Sequence, residues 1–314
     1  MFDYTLFYKT PLNVPDLGSQ VWDIFVSAFN LSERVKAVHS AVMATHKVWI
    51  IHHEYQLSEA DIPESSFRSL SEREDEFIID FIAFLSTRCG PLSGQRLCID
   101  VTGFMRPHLL FLIRLLKMRG VTRFDILYAE PGHYTSLDRT QFASELVSEV
   151  RQVASYEGFS NSVYDNDLLI VAAGYEDGLT AEVAEDKERA RKALIFGLPS
   201  LQADMYQQNV LRSHQASDAL GDVVHRVFAP ASDPFVTATV LSELVAREEG
   251  KKPLTNLYLS PLSTKPQALG FALFYIRECE GRAASIIYPF SKTYSPDTSS
   301  RIGRIWKYEI DMDW

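Results

Sequence analysis

The stretch IDVTGFMRPHLL (residues 99–110) decides how the rest of the chain is read. An apolar run ends on an acid, Asp100, passes through a Thr-Gly turn, and enters an apolar helix pattern on an Arg-Pro step. Proline suits the first helical turn, where its missing N–H is not needed, and Thr-Gly suits a tight connection. A strand delivered directly into a helix is the building unit of a parallel α/β sheet.

The same junction is written again in TNLYLSP (255–261), LSTKP (262–266) and KPQALGFALFYIRECEG (265–281). Working outward, VWDIFVSAF (21–29), the helix pattern NLSERVKAVHSAVMA (30–44) and KVWIIHH (47–53) are matched by DLLIVAAGY (167–175), EDGLTAEVAEDKERARK (176–192) and ALIFGLP (193–199). Ile24 matches Ile170 and Ile51 matches Phe196, offsets of 146 and 145. The helix patterns ending at Gly90 and Gly250, the pairs Tyr128 and Tyr288, and Tyr134 and Tyr294 lie 160 apart; Arg106 and Lys265 lie 159 apart. The extra segment LQADMYQQNVLRSHQASDALGD (201–222) accounts for the growth in offset. A repeat this long predicts two similar Rossmann-like halves with mainly parallel sheets, related by internal duplication. The turn formers of VASYEGFSNSVYDND (153–167) place the boundary there, giving residues 1–155 and 156–314. RIWKYEI (304–310) alternates as a final strand, expected at an antiparallel edge, and Ser71 with Glu74 reads as a capping box.

Loops at the carboxyl ends of parallel strands line the ligand crevice, and a helix N-terminus there favours an anion. Thr102, Gly103 and Arg106 supply a hydroxyl, a close-approach turn and a cation; Ser263, Thr264 and Lys265 repeat the recipe. The pattern describes a paired cradle for phosphates. The same Ser, Thr and Gly residues also read as helix caps, and the cations as solvated charges. Asp100 has no acidic counterpart and reads as bonding a turn N–H. Tyr134 and Tyr294 end the last strand-loop of each half, placed either to stack on a base or to cover the sheet.

DVTGFMRP (100–107), a strand followed by Thr-Gly and a basic residue at a helix start, resembles the ligand-binding motif of CARF domains, Rossmann-like sensors of cyclic oligonucleotides in CRISPR-linked immunity. The tandem halves resemble SAVED-type sensor modules of CBASS-type anti-phage systems. The resemblance implies a nucleotide or cyclic oligonucleotide held between the halves by Thr102, Gly103 and Arg106 opposite Ser263, Thr264 and Lys265. It adds the first strand–helix loops, Asn30, Ser32 and Arg34 in one half and Asp177 and Thr180 in the other. Ser32 and Thr180 also read as N-caps. A scaffold subunit of a defence complex and a ring-nuclease-like phosphodiesterase are the competing readings.

Exclusions narrow the field. No GxxxxGK[ST], GxGxxG after a strand, or GxSxG is present, which disfavours a P-loop ATPase, a dinucleotide dehydrogenase and an α/β-hydrolase; no catalytic residue is assigned. IIHHEYQ (50–56) places His52, His53 and Glu54 at a strand end, but neighbouring strand residues face opposite sides, so no metal and no cofactor are expected. With 46% apolar and 23% charged residues in 314, the chain is globular, and its net charge of −10 argues against generic DNA binding. Three scattered cysteines read as reduced core thiols, and no run reaches membrane-spanning length. The N-terminus lacks a signal-peptide pattern, so a cytoplasmic protein is expected. No effector module is visible, so a sensor would act through a protein partner.

Overall fold

The computed structural model describes residues 2–134, 147–159, 161–174, 176–202, 205–294 and 299–313, with side chains omitted at 133, 134, 299 and 300. Along the chain run β1 (Tyr8–Leu12), α1 (Val14–Leu17), β2 (Val21–Ala28), α2 (Glu33–Ala41), β3 (Met43–Ile50), α3 (Glu74–Cys89), β4 (Leu97–Asp100), α4 (Arg106–Met118) and β5 (Arg123–Tyr134). There follow β6 (Glu149–Gln152), β7 (Leu168–Ala172), α5 (Asp177–Asp186), β8 (Arg191–Gly197), α6 (Met205–Gln215), α7 (Ser217–Leu220) and β9 (Val223–Ala229). The chain continues through α8 (Pro234–Glu249), β10 (Leu257–Pro261), α9 (Lys265–Phe274), β11 (Ala284–Phe290) and β12 (Ser299–Asp311).

Two compact units result. The first is Phe7–Ser144 with Thr293–Trp314; the second is Met1–Leu6 with Glu145–Lys292. Each carries a six-stranded sheet, ordered β1-β12-β5-β4-β2-β3 in the first and β6-β11-β10-β7-β8-β9 in the second. The parallel core keeps one order in both, β3-β2-β4-β5 and β8-β7-β10-β11. This is the mixed α/β, mainly parallel architecture expected from the alternating pattern. A shared strand order is compatible with duplication and also with independent use of a common topology. The extra segment of the second half forms α6 and α7 and delivers β9, a further parallel strand outside β8.

The division differs from a simple cut at 155. The final strand β12 is not an edge: it lies antiparallel between β5 and the short β1, so the chain's last residues complete the first unit. Tyr4 goes the other way and bonds Glu278 in the second unit at 3.0 Å. Neither β1, with Pro11 at its centre, nor β6 carries the alternation that marks a strand in sequence, and both are outermost strands, where Pro is tolerated. The expected capping box is absent, because α3 starts two residues later: Arg73 occupies the N-cap and Glu74 is fully buried. Gly90 does end α3, in a positive-φ conformation.

Burial explains the two junction helices. In α4, Pro107 through Ile113 and Leu115 with Leu116 are buried, and in α9 every residue from Pro266 to Phe274 is. α9 is thus buried on every side and belongs inside the fold, while α4 keeps Arg114, Lys117 and Met118 toward solvent. On the α2 face of the first sheet, Trp22, Phe25, Cys98, Leu127, Ala129 and Ile305 pack with Leu17 and Val38. Among the described residues no helix is long and apolar enough to cross a membrane.

Two predictions follow from these units. Removing residues 299–314 strips β5 of its antiparallel neighbour and frees β1; exchange of the β5 amides that bond β12 should rise, while β7 and β10 stay protected. Protection of β5 unchanged in the truncated protein contradicts this account. The second concerns Glu248 near the end of α8, which is 1% exposed and takes bonds from Arg191, His225 and Lys251. Burial alone raises its pKa, but the Lys251, Arg191 and His225 bonds outweigh that and hold it at about 2. A carboxyl held below its unfolded value stabilises the fold above the unfolded pKa and loses that contribution as pH falls through the folded one. The stability advantage of wild type over Glu248→Gln should therefore hold at neutral pH and vanish between about pH 4.5 and 2 in denaturant titrations.

Candidate functional site

The connections set the site. In the first sheet, β2 leads through α2 to β3 on one side, and β4 leads through α4 to β5 on the other, so the order reverses between β2 and β4. In the second sheet the reversal falls between β7 and β10. Crevices at such reversals, outside the carboxyl ends of the strands, are where open α/β sheets bind ligands. The sequence-selected residues flank both: Asn30, Ser32 and Arg34 with Thr102, Gly103 and Arg106 in the first unit, Asp177 and Thr180 with Ser263, Thr264 and Lys265 in the second.

In the first unit the floor of the crevice is a bonded knot. Asp100, fully buried, accepts from the Ser27 hydroxyl at 2.8 Å, the Thr102 N–H at 3.0 Å and the Thr102 hydroxyl at 2.5 Å. Burial raises the Asp100 pKa, and these bonds oppose the rise. The Thr102 oxygen in turn accepts the Ala129 N–H at 2.9 Å. The Asx reading of Asp100 therefore matches the structure, and Thr102 is committed to the fold on both its donor and acceptor sides. Gly103 is required by proximity: a Cβ there would lie 2.0 Å from the Ala28 carbonyl oxygen. Its own carbonyl accepts the Tyr55 hydroxyl at 2.8 Å.

Above this floor stand two cations. Arg34, in the first turn of α2, donates to the Ala129 carbonyl at 2.6 Å. Arg106 opens α4. Both charges act on the same two buried phenols: burial pushes Tyr55 and Tyr128 up to about 12, while Arg34 and Arg106 pull both down. Asn30 bonds the Tyr55 hydroxyl side and also accepts the Ser32 N–H at 3.0 Å. Ser32 holds the N-cap position of α2, yet its buried hydroxyl makes no cap bond and has no hydrogen-bond partner among the described residues.

Tyr294 was expected to mirror Tyr134 in the second half. Because the chain returns to the first unit after Lys292, it stands there instead, edge-on to Tyr55 at 6.0 Å, with its N–H bonded to the Glu54 carbonyl at 2.8 Å. The Tyr134 backbone pairs with Ser299, and its side chain lies outside the described residues.

The second crevice is built differently. Five residues separate Asp100 from Arg106, but three separate Pro261 from Lys265. Thr264 is a true cap: its hydroxyl accepts the Gln267 N–H at 3.3 Å and donates to the Ala231 carbonyl. Ser263 is buried beside it, and Lys265 opens α9. Thr180 is not an N-cap. Glu176 is, and the Thr180 N–H and hydroxyl both turn back to the Glu176 carbonyl one turn earlier. Asp177 lies 3.9 Å from Arg212, an ion pair at the limit of contact.

One cluster escaped the sequence reading. The strand alternation expected to separate His52 from His53 does not apply, because β3 ends at Ile50 and residues His53–Tyr55 form a 3-10 turn. That turn brings Glu54 beside His52, and α4 supplies His108, so that one ligand-type atom from each of His52, Glu54 and His108 lies within 4.8 Å of the others. Burial lifts the Glu54 carboxyl to about 7; its own backbone N–H opposes this, and the charges of Glu74 and Glu72 add to it. The two-residue spacing of His52 and Glu54 was a signal in the sequence. Nothing in it tied His108 to them.

No family model and no curated protein matches the chain. Among solved structures it is similar to a ketoreductase domain from the bacillaene assembly line, at 12% identity over 86% of this chain and 69% of that one, with a TM-score of 0.24. A superposition of that quality carries no functional argument.

The packing of Gly103 gives a direct test of the crevice floor. Gly103→Ala forces a methyl group onto the Ala28 carbonyl and should cost at least about 1–3 kcal/mol, as overpacked interiors do. Denaturant unfolding reads the cost; Gly178→Ala in α5, where a Cβ meets nothing within 4 Å, is the control.

Proposed function

We propose that the first unit binds a phosphate-bearing ligand of the nucleotide class at the β2–β4 reversal, and that the chain serves as a sensor or regulatory subunit of an anti-phage defence system. The observation that carries the ligand reading is the convergence of Arg34 and Arg106 on Tyr55 and Tyr128 at the carboxyl ends of the parallel strands. Two guanidinium groups, each able to fork onto phosphate oxygens, give a phosphate site both charge and geometry. The unpartnered Ser32 hydroxyl at the amino end of α2 supplies a further donor at a helix end that favours anions. Tyr294, edge-on to Tyr55, offers a ring for a base. The sensor role rests on the resemblance of DVTGFMRP to the CARF motif, and in this reading its output passes to a protein partner. Thr102 and Gly103 shape the site rather than touch the ligand.

A thermal-shift screen of the full chain against inorganic phosphate and mono-, di- and cyclic oligonucleotides tests this. A ligand at about 100 times its dissociation constant adds roughly 2.7 kcal/mol of stability. That shift should disappear in Arg106→Ala and in Arg34→Ala with Arg106→Ala, measured against each variant's own unliganded melt. Equal affinity in the double variant refutes the site.

A further inference from the structure

We propose that His52, Glu54 and His108 form a binding site for one divalent transition-metal ion of the zinc type. The inference is independent of the nucleotide reading: it uses none of Asn30, Ser32, Arg34 or Arg106.

The ligand set is chemically specific. Two imidazoles and one carboxylate are donors for zinc and for its first-row neighbours, while magnesium and calcium call for oxygen alone. The geometry is close to what such an ion needs. Glu54 Oε1 is 3.7 Å from His108 Nδ1, and the His52 and His108 rings meet edge to face with centroids 4.6 Å apart. Zinc–nitrogen and zinc–oxygen bonds of about 2.0–2.2 Å put tetrahedral donor atoms roughly 3.4 Å apart. Drawing all three donors in from a 4.8 Å spread therefore asks for side-chain shifts of about 1 Å, with no movement of backbone.

The surroundings favour a cation. His52 is 1% exposed, His108 2%, and the Glu54 side chain 13%. Phe77 stacks on His52 at 5.4 Å and meets His108 edge-on at 5.0 Å, while Phe104 closes the other side of His52. Around this apolar wall stand two more carboxylates, Glu72 and Glu74, whose charges reach Glu54. Glu54 Oε2 is buried with no hydrogen bond among the described residues; the nearest partner is the His53 Nδ1 at 3.5 Å. Burying a carboxylate without such bonds is costly, and a metal ion satisfies it directly.

The scaffold is also held. The Tyr294 N–H fixes the Glu54 carbonyl, and His108 lies in the first turn of α4 within its buried run Pro107–Ile113. A site whose ligands sit on braced elements needs little ordering when the ion arrives. Three protein donors leave a fourth position open for water or an exogenous ligand, the arrangement that separates reactive zinc sites from closed structural ones.

The experiment uses the full chain, freed of any tag, stripped with chelator, and titrated with Zn²⁺ and separately with Co²⁺. The expected result is one equivalent of Zn²⁺ bound per chain, and visible absorption from Co²⁺ that Zn²⁺ displaces. Glu54→Gln, which keeps the shape, and His108→Ala should each weaken binding at least about 100-fold, beyond the roughly 10–100-fold typical of outer-shell losses. His53→Ala should leave it unchanged. Circular dichroism confirms that each stripped variant is folded; if His108→Ala is not, Glu54→Gln alone decides. No binding by the wild type, or stoichiometric binding that persists in the folded Glu54→Gln protein, overturns the proposal.

Discussion

The crevice of the first unit depends on one buried carboxylate. Asp100 collects the Ser27 hydroxyl from β2 and both polar groups of Thr102 from its own turn, and Thr102 passes the connection on to the Ala129 N–H in β5. Three adjacent strands are thereby tied at their carboxyl ends by side chains, where the regular ladder stops. A polar group with no exposure is tolerated there because donors surround it. Once the knot is tied, the Gly103 backbone lies against the Ala28 carbonyl, α4 starts at Arg106, and α2 brings Arg34 to the same end of the sheet. The floor and the cations above it are consequences of a single accepting side chain.

The second unit reaches a similar end by other means. It has no acid at the corresponding place, its turn into α9 is shorter, and a cap on Thr264 replaces the knot. Close backbone approach recurs with the roles exchanged: here Gly174, after β7, lies against the Leu262 carbonyl of the turn. The two crevices therefore share a topology without sharing their chemistry. Among the described residues, the first alone gathers two arginines over buried phenols and sets a histidine–glutamate cluster nearby.

How much of this the sequence discloses follows from the range of each interaction. Strands and helices of the parallel core are legible because their signals are local: apolar runs, Pro in the first turn at 107 and 266, and Gly90 past a helix end. The crevice residues of the first unit are legible because strand ends and helix starts converge at a reversal of order. What was not legible is long-range. β12 alternates as a strand should, but its place between β1 and β5 is set by pairing with residues about 180 and 300 positions earlier in the chain. Tyr294 changes unit for the same reason. His108 joins His52 and Glu54 across 50-odd residues, and no periodicity links them. The caps expected at Ser71 and Thr180 are not used, because α3 begins after Arg73 and α5 after Glu176.

The position of β12 also orders events in time. On the ribosome, β2 through β5 emerge well before the antiparallel neighbour of β5, with residues Glu145–Lys292 of the second unit synthesised in between. Until then the newly made sheet presents the open flank of a twelve-residue strand, a template for pairing with any other extended chain. Closure of the first unit must therefore follow translation, and its rate is governed by the search of a distant segment for one long slot. A sheet wired in this way closes only after its distant strand arrives, and the interval before that is when it most needs protection from its own copies.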